Sequence, residues 1–219
     1  MNVAEDFTIP YMVYLQSFPE PCVGSLIHPE WLLTTAHCPL PVKIRLGVYQ
    51  PNIKNKKEQV RNYSMVVPHP EFNAGSLNND LVMIKLSKAA ALNNQVGTIA
   101  IAMEPLPVNN SCFIPTWTWS KYKNHKDPDS LQNVNNSVIS KTECREAYKT
   151  YNIRDSMMCV GIVPGRRLPC KEVTAAPALC HGVQGILTFV DGCVLRADVG
   201  IYTRIINYIP WIENTVPNN

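Results

Sequence analysis

Trp31-Leu-Leu-Thr-Thr-Ala-His37-Cys38 is the stretch on which the reading of this 219-residue chain turns. It starts as a short apolar run with the character of a buried strand. His37 follows that run directly and Cys38 comes next, so an imidazole stands at a strand end, held beside a cysteine. A second stretch, Asn79-Asp80-Leu-Val-Met-Ile-Lys-Leu86, places an aspartate at the opening of another buried strand. A third runs Cys170-Lys-Glu-Val-Thr-Ala-Ala-Pro-Ala-Leu-Cys180 and continues through Gln184-Gly-Ile-Leu-Thr-Phe-Val-Asp-Gly-Cys193. A fourth, Asp198-Val-Gly-Ile-Tyr-Thr203, leads into Trp211-Ile-Glu-Asn near the C-terminus.

Around these stretches the apolar and β-branched runs are short and frequent. They include residues 11–15, 22–27, 31–35, 43–48 and 81–86, then 134–139, 158–163, 185–190 and 200–205. Proline, asparagine and glycine clusters separate them, a pattern that predicts an all-β barrel or sandwich. Two helices are expected. Ser140-Lys-Thr-Glu143 has the spacing of a capping box. A terminal helix over about 206–216 carries Ile209, Trp211 and Ile212, and Pro210 within it requires a late start or a kink. Glu104-Pro-Leu-Pro107 reads as a linker between two near-equal halves, about 10–107 and 108–205, of one domain.

Composition sets the compartment. The eight cysteines are even in number, contain no C-x-x-C pair and have no zinc-like spacing, so disulfides and an oxidising environment are expected. Sequons at Asn62, Asn109 and Asn135 agree with a secreted, extracellular glycoprotein. The start, Met-Asn-Val-Ala-Glu-Asp, has no apolar signal-peptide core, so Met1 is read as added to a mature form or as preceded by residues not in this sequence. No apolar run reaches the roughly 18 residues of a membrane span. The net charge of +3 includes lysines at 54, 56 and 57 and the pair Arg166-Arg167, with no aromatic-interleaved stripe for nucleic acid. The 18 prolines against only 10 glycines exclude collagen-like and Gly/Ser-rich chains.

Taken together, the order, spacing and cysteine placement of the four stretches resemble the trypsin-like (chymotrypsin-fold) serine protease family over nearly the whole chain, and most of all its divergent trypsin-X group. The resemblance implies two six-stranded antiparallel β-barrels with a site between them and a C-terminal helix. It implies the pairs Cys22–Cys38, Cys112–Cys180, Cys144–Cys159 and Cys170–Cys193. It assigns His37 as general base and Asp80 as the residue that orients it.

At the nucleophile the chain departs from the family's G-D-S-G-G-P. The matching stretch is Glu172-Val-Thr-Ala-Ala-Pro177. Thr174 stands at the serine, with a branched β-carbon. Glu172 replaces an oxyanion-hole glycine and is expected to bring negative charge to the place where it must develop; with Thr174 it marks the oxyanion position. Val173 replaces the aspartate that pairs with a released N-terminus, and the activation sequence itself has no counterpart. In the specificity pocket Leu168, followed by Pro169, stands where trypsin has its aspartate, and Val190 takes a glycine position. Thr188-Phe189 resembles the substrate-backbone strand, and Gly200 belongs to the same pocket. Gly185 and Gly192 also persist. The family's calcium loop keeps only Glu58, with Val48 and Asn55 at other carboxylate positions, so no metal is expected. No cofactor is expected.

Two readings of function follow. One is a secreted, inactive serine protease homologue, a monomer acting by binding a protein or peptide ligand, with glycosaminoglycan contact through the Lys54–Arg61 loop and Arg166-Arg167 as a possible addition. The other is a weak, non-tryptic endopeptidase with Thr174 as nucleophile.

Overall fold

A computed structural model describes residues 8–120, 126–162, 164 and 170–219. The first sheet comprises β1 (Met12–Gln16), β2 (Cys22–His28), β3 (Trp31–Thr34), β4 (Lys43–Leu46), β5 (Gln59–Arg61), β6 (Tyr63–Pro68) and β7 (Val82–Leu86). Its order is β5-β4-β1-β2-β3-β7-β6. Where six strands are expected, seven are seen, and the reason lies at Asn62. β5 and β6 occupy opposite edges, yet Asn62 alone separates them along the chain. One arm pairs with β4 and the other with β7. The bend thus draws the two edges together through the backbone and curls the sheet into a barrel-like half.

The second sheet is a closed barrel. β8 (Ser111–Thr118), β9 (Ser130–Ile139), β10 (Met157–Val160), β11 (Pro177–Leu179), β12 (Val183–Val190) and β13 (Gly200–Arg204) follow one another as β10-β13-β12-β11-β8-β9. Closure leaves no unpaired edge to attract another strand.

Each half fills its own interior. Val13, Leu26, Leu32, Ile44, Leu46 and Ile84 are buried in the first, and Ile114, Val138, Met158, Ala178 and Tyr202 in the second. Each fully buried large aliphatic side chain stabilises the fold by about 1.5–3 kcal/mol. All four residues of β3 are buried because β2 and β7 flank it on both sides. A third apolar cluster forms the seam between the halves: Met12, Tyr14, Val23 and Val48 from the first meet Trp117 and Val173 from the second.

Helix α1 (Lys141–Ala147) starts at Ser140, whose hydroxyl accepts the Glu143 amide at 3.1 Å, the expected capping bond. Helix α2 (Ile209–Thr215) follows a 3-10 turn over Ile205–Tyr208 and carries Pro210 in its first turn, so the proline is met by a late start. Four disulfides join the pairs that the family resemblance implied. The loop closed by Cys22–Cys38, with a sequence separation of 16, is worth about 3 kcal/mol by chain entropy.

Candidate functional site

Strand register brings His37 and Asp80 together. β3 and β7 run antiparallel, and their final pair is Thr34 with Val82. His37 lies just past the end of β3 and Asp80 just before the start of β7, so the two residues emerge side by side. Asp80 is completely buried. Its Oδ1 accepts the His37 amide at 2.8 Å, and its Oδ2 lies 2.6 Å from His37 Nδ1. Thr188, on β12 of the other half, donates its hydroxyl to the same Oδ2 at 2.7 Å. With Nδ1 tied to Asp80, Nε2 is the ring atom left to face a cavity of about 410 Å³. The third donor, Thr188, was expected in the substrate-binding strand; its bond to Asp80 is a feature that the sequence reading did not contain.

Thr174 reaches the same cavity from the second half. Its carbonyl accepts the Val23 amide at 2.9 Å, which fixes its backbone against β2. Its hydroxyl differs from what a nucleophile needs. Among the described residues, no hydrogen bond joins Thr174 Oγ1 to His37. The next residue, Ala175, is buried with φ of 69°, a left-handed conformation that costs an alanine about 1–2 kcal/mol.

Glu172 lines the same cavity, where its carboxylate is held by backbone amides. Its carboxylate accepts the Val194 amide at 2.7 Å and the Leu195 amide at 3.2 Å, so it caps the 3-10 turn over Val194–Arg196. Burial pushes its pKa up to about 7, partly offset by those two amide bonds and by Arg196. Gly192 lies beside this turn with φ of +126°, and a Cβ there would stand 2.3 Å from Asp198 Oδ2, so no larger residue fits.

Val173 is buried in the apolar seam with Met12, Tyr14, Val23, Val48 and Trp117. Its amide donates to the Trp117 carbonyl at 2.8 Å, and its carbonyl accepts Thr116 Oγ1 at 2.7 Å. Both backbone groups are satisfied, and the side chain has only apolar neighbours in that cluster.

Phe189 and Val190 line the cavity with Thr188. The Phe189 ring stacks at 4.6 Å on Tyr151. Gly200 lies buried on β13, paired with Val190. Leu168, Pro169, Arg166, Arg167 and Met1 lie outside the described residues.

The loop between β4 and β5 is organised from within. The Arg45 guanidinium is buried and donates to the Pro51 carbonyl at 2.8 Å, to the Ile53 carbonyl at 3.1 Å and to Glu58 Oε2 at 2.9 Å. Glu58 is thereby engaged by an internal cation. Arg45 sits between the buried Ile44 and Leu46 of β4, and its partner Glu58 lies 13 residues downstream, beyond what strand patterning can signal. Among the described residues, no group of three His, Cys, Asp or Glu side chains is placed to hold a metal. Lys54, Lys56 and Lys57 are exposed on this loop, whereas Arg61 is used locally, donating to the carbonyls of Lys88 and Ala89. Asn62, Asn109 and Asn135 are all exposed.

Comparison with known proteins agrees with this geometry. The family model described as Trypsin matches residues 2–212. The chain is 58% identical to a Bos taurus protein named "Probable inactive serine protease 58", over 100% of this chain and 92% of that protein. It is 53% identical to Homo sapiens "Serine protease 58", over 98% of this chain and 92% of the relative. Identity to Homo sapiens "Serine protease 1" is 33%, over 98% of this chain and 87% of the relative. With its fold, four disulfides and His37–Asp80 pair, the chain belongs to the trypsin family of serine proteases.

Proposed function

We propose that this chain is an extracellular, catalytically inactive member of the trypsin family that acts by binding a protein or peptide in the groove between its two halves. The observation that carries the reading is the state of Thr174. It shares a cavity with His37 but makes no hydrogen bond to it. The hydrogen bond from hydroxyl to base is the route by which a nucleophile's proton leaves, and this site does not make it. Val173 adds to this, because an apolar residue in an apolar cluster offers no charge to an incoming ammonium group. The bovine relative's name points the same way. Four disulfides favour an oxidising compartment. The exposed Asn62, Asn109 and Asn135 are the positions where glycans would attach, and the exposed lysines 54, 56 and 57 would supply any contact with a sulfated glycan.

A second reading is kept by one observation: the His37–Asp80–Thr188 hydrogen bonds are complete. On that reading Thr174 would attack a peptide carbonyl slowly, with His37 as base. Hydrolysis of a broad fluorogenic peptide library separates the two. The inactive reading expects the same background from the wild-type chain and Thr174→Ala. Turnover by wild type that Thr174→Ala abolishes would establish the second.

A further inference from the structure

Charge is segregated at the edge of the first half that β4 and β5 form. From Lys43 to Arg61 the chain holds six cations, Lys43, Arg45, Lys54, Lys56, Lys57 and Arg61, against one carboxylate, Glu58. That excess is larger than the net charge of +3 of the whole chain, so the rest of the chain is net negative. Glu58 does not neutralise the exposed lysines. Arg45 takes both of its oxygens, at 3.3 and 2.9 Å, and both of these side chains are buried. Among the described residues, no carboxylate lies within ion-pair distance of Lys43, Lys54, Lys56 or Lys57.

Strand register gathers part of this charge around a depression. β1 and β4 pair with Gln16 opposite Lys43, so these two side chains stand on one face. Arg45 is two residues along β4 and shares that face. Lys54 comes in from the loop, and Gln16, Lys43, Arg45 and Lys54 together wall a depression of about 250 Å³. That is room for one tetrahedral oxyanion. Lys43 and Lys54 are exposed at its rim, and Lys56 and Lys57 continue the charge along the loop. Asp127 and Asp129 approach the same loop from the second half, where the Asn52 amide donates to the Pro128 carbonyl at 2.9 Å. Both are held in place. Asp127 accepts the Tyr14 hydroxyl at 2.8 Å, and Asp129 accepts the Ser120 amide and hydroxyl, each at 2.7 Å.

We propose that this edge binds a sulfated polysaccharide, with one sulfate seated in the depression between Lys43 and Lys54 and further sulfates meeting Lys56 and Lys57. A sulfate presents three free oxygens, enough to meet two ammonium groups and the Gln16 amide together in charge-assisted bonds. Lysines on flexible stems along a loop suit a polymer of repeated single charges better than one focal anion. A nucleic acid would call for stacking aromatic rings, and no wall of the depression is aromatic. The proposal rests on the preceding reading only for its extracellular setting. It is independent of whether Thr174 is a nucleophile, so its failure leaves the reading of the groove standing.

The test titrates the full chain by calorimetry, at about 50 mM salt so that screening is weak. The probes are a heparin hexasaccharide, its desulfated counterpart, which keeps only carboxylates, and a hexaglutamate peptide. The sulfated probe is expected to bind at least about tenfold more tightly than the desulfated one. Lys43→Gln and Lys54→Gln should each weaken it about threefold, and the two together with Lys56→Gln and Lys57→Gln by at least about thirtyfold. Lys149→Gln removes the same charge from an exposed site at the end of α1 and should change nothing. Equal weakening by Lys149→Gln and Lys43→Gln would mean that only net charge attracts the probe, and overturns the proposal. So does equal binding of the sulfated and desulfated probes, or no binding of the sulfated probe up to about 1 mM. Tighter binding of hexaglutamate than of the hexasaccharide would assign the edge to an acidic peptide and overturn it as well.

Discussion

The two sides of the groove are built by different means. On one side His37 and Asp80 sit at adjacent ends of β3 and β7, fixed by strand register and by three hydrogen bonds to one buried carboxylate. On the other, Glu172, Val173 and Thr174 lie on a connecting segment, and none of their side chains bonds to the first side among the described residues. Glu172 turns to the Val194 turn, Val173 turns into the apolar seam, and the Thr174 hydroxyl is left beside His37 without a bond to it. A buried polar group that is fully bonded resists change for structural reasons alone. The survival of an acid–base pair is therefore poor evidence of catalysis, and the nucleophile side is where activity must be judged.

The contrast can be broken first at Val173. Val173→Asp puts a carboxylate among Met12, Tyr14, Val23, Val48 and Trp117. An uncompensated buried charge is expected to cost about 3–5 kcal/mol in urea denaturation. A stability close to wild type would mean that a cation already reaches the seam, and the two sides would then be less different than described.

Next comes Asp80. Asp80→Ala removes the acceptor of the His37 amide, the His37 ring and the Thr188 hydroxyl. Orphaning these donors should lower stability by about 2–4 kcal/mol, read from the same denaturation midpoint. A neutral substitution would say that the pair is kept for chemistry and not for structure.

Glu172 gives a pH signature. Its pKa is raised from 4.5 to about 7 in the folded chain. Between those values the folded state holds more proton than the unfolded one, so this group makes stability fall as pH rises through the window and level off above it. In Glu172→Gln that part of the profile should flatten, as measured by denaturation midpoints across pH 4.5 to 7.5. An unchanged profile would place the carboxylate in water and not on the Val194 turn.

The smallest effect is expected at Thr174. With no hydrogen bond to His37, its hydroxyl contributes little, and Thr174→Ala should change stability by less than about 0.5 kcal/mol. A larger loss would reveal a bond that ties the two sides together.

Much of the fold was legible because strand signals and cysteines are local or countable. β3 and β7 stand out as continuous apolar runs, and eight cysteines fit one family framework without remainder. β8 was harder to see, because Pro115 interrupts it and a mid-strand proline speaks against a strand. The bend at Asn62 was hidden for another reason: β5 is only three residues long and is half-exposed, so it carries no alternation to read. At the site, the residue types at 172, 173 and 174 announced an altered nucleophile. The directions their side chains take were not readable, because these depend on contacts far apart in sequence, such as Glu172 with Val194 and Val173 with Met12. Arg45 with Glu58 was missed for the same reason, since a buried ion pair looks in sequence like two unrelated charges.

Covalent labelling tests the central claim most directly. The intact chain is incubated with a fluorophosphonate at neutral pH and its mass is measured, beside Thr174→Ala as control. The expected result is no phosphonyl adduct on either protein, because no activated hydroxyl faces the groove. An adduct on wild type, mapped to Thr174 and absent from Thr174→Ala, would contradict it.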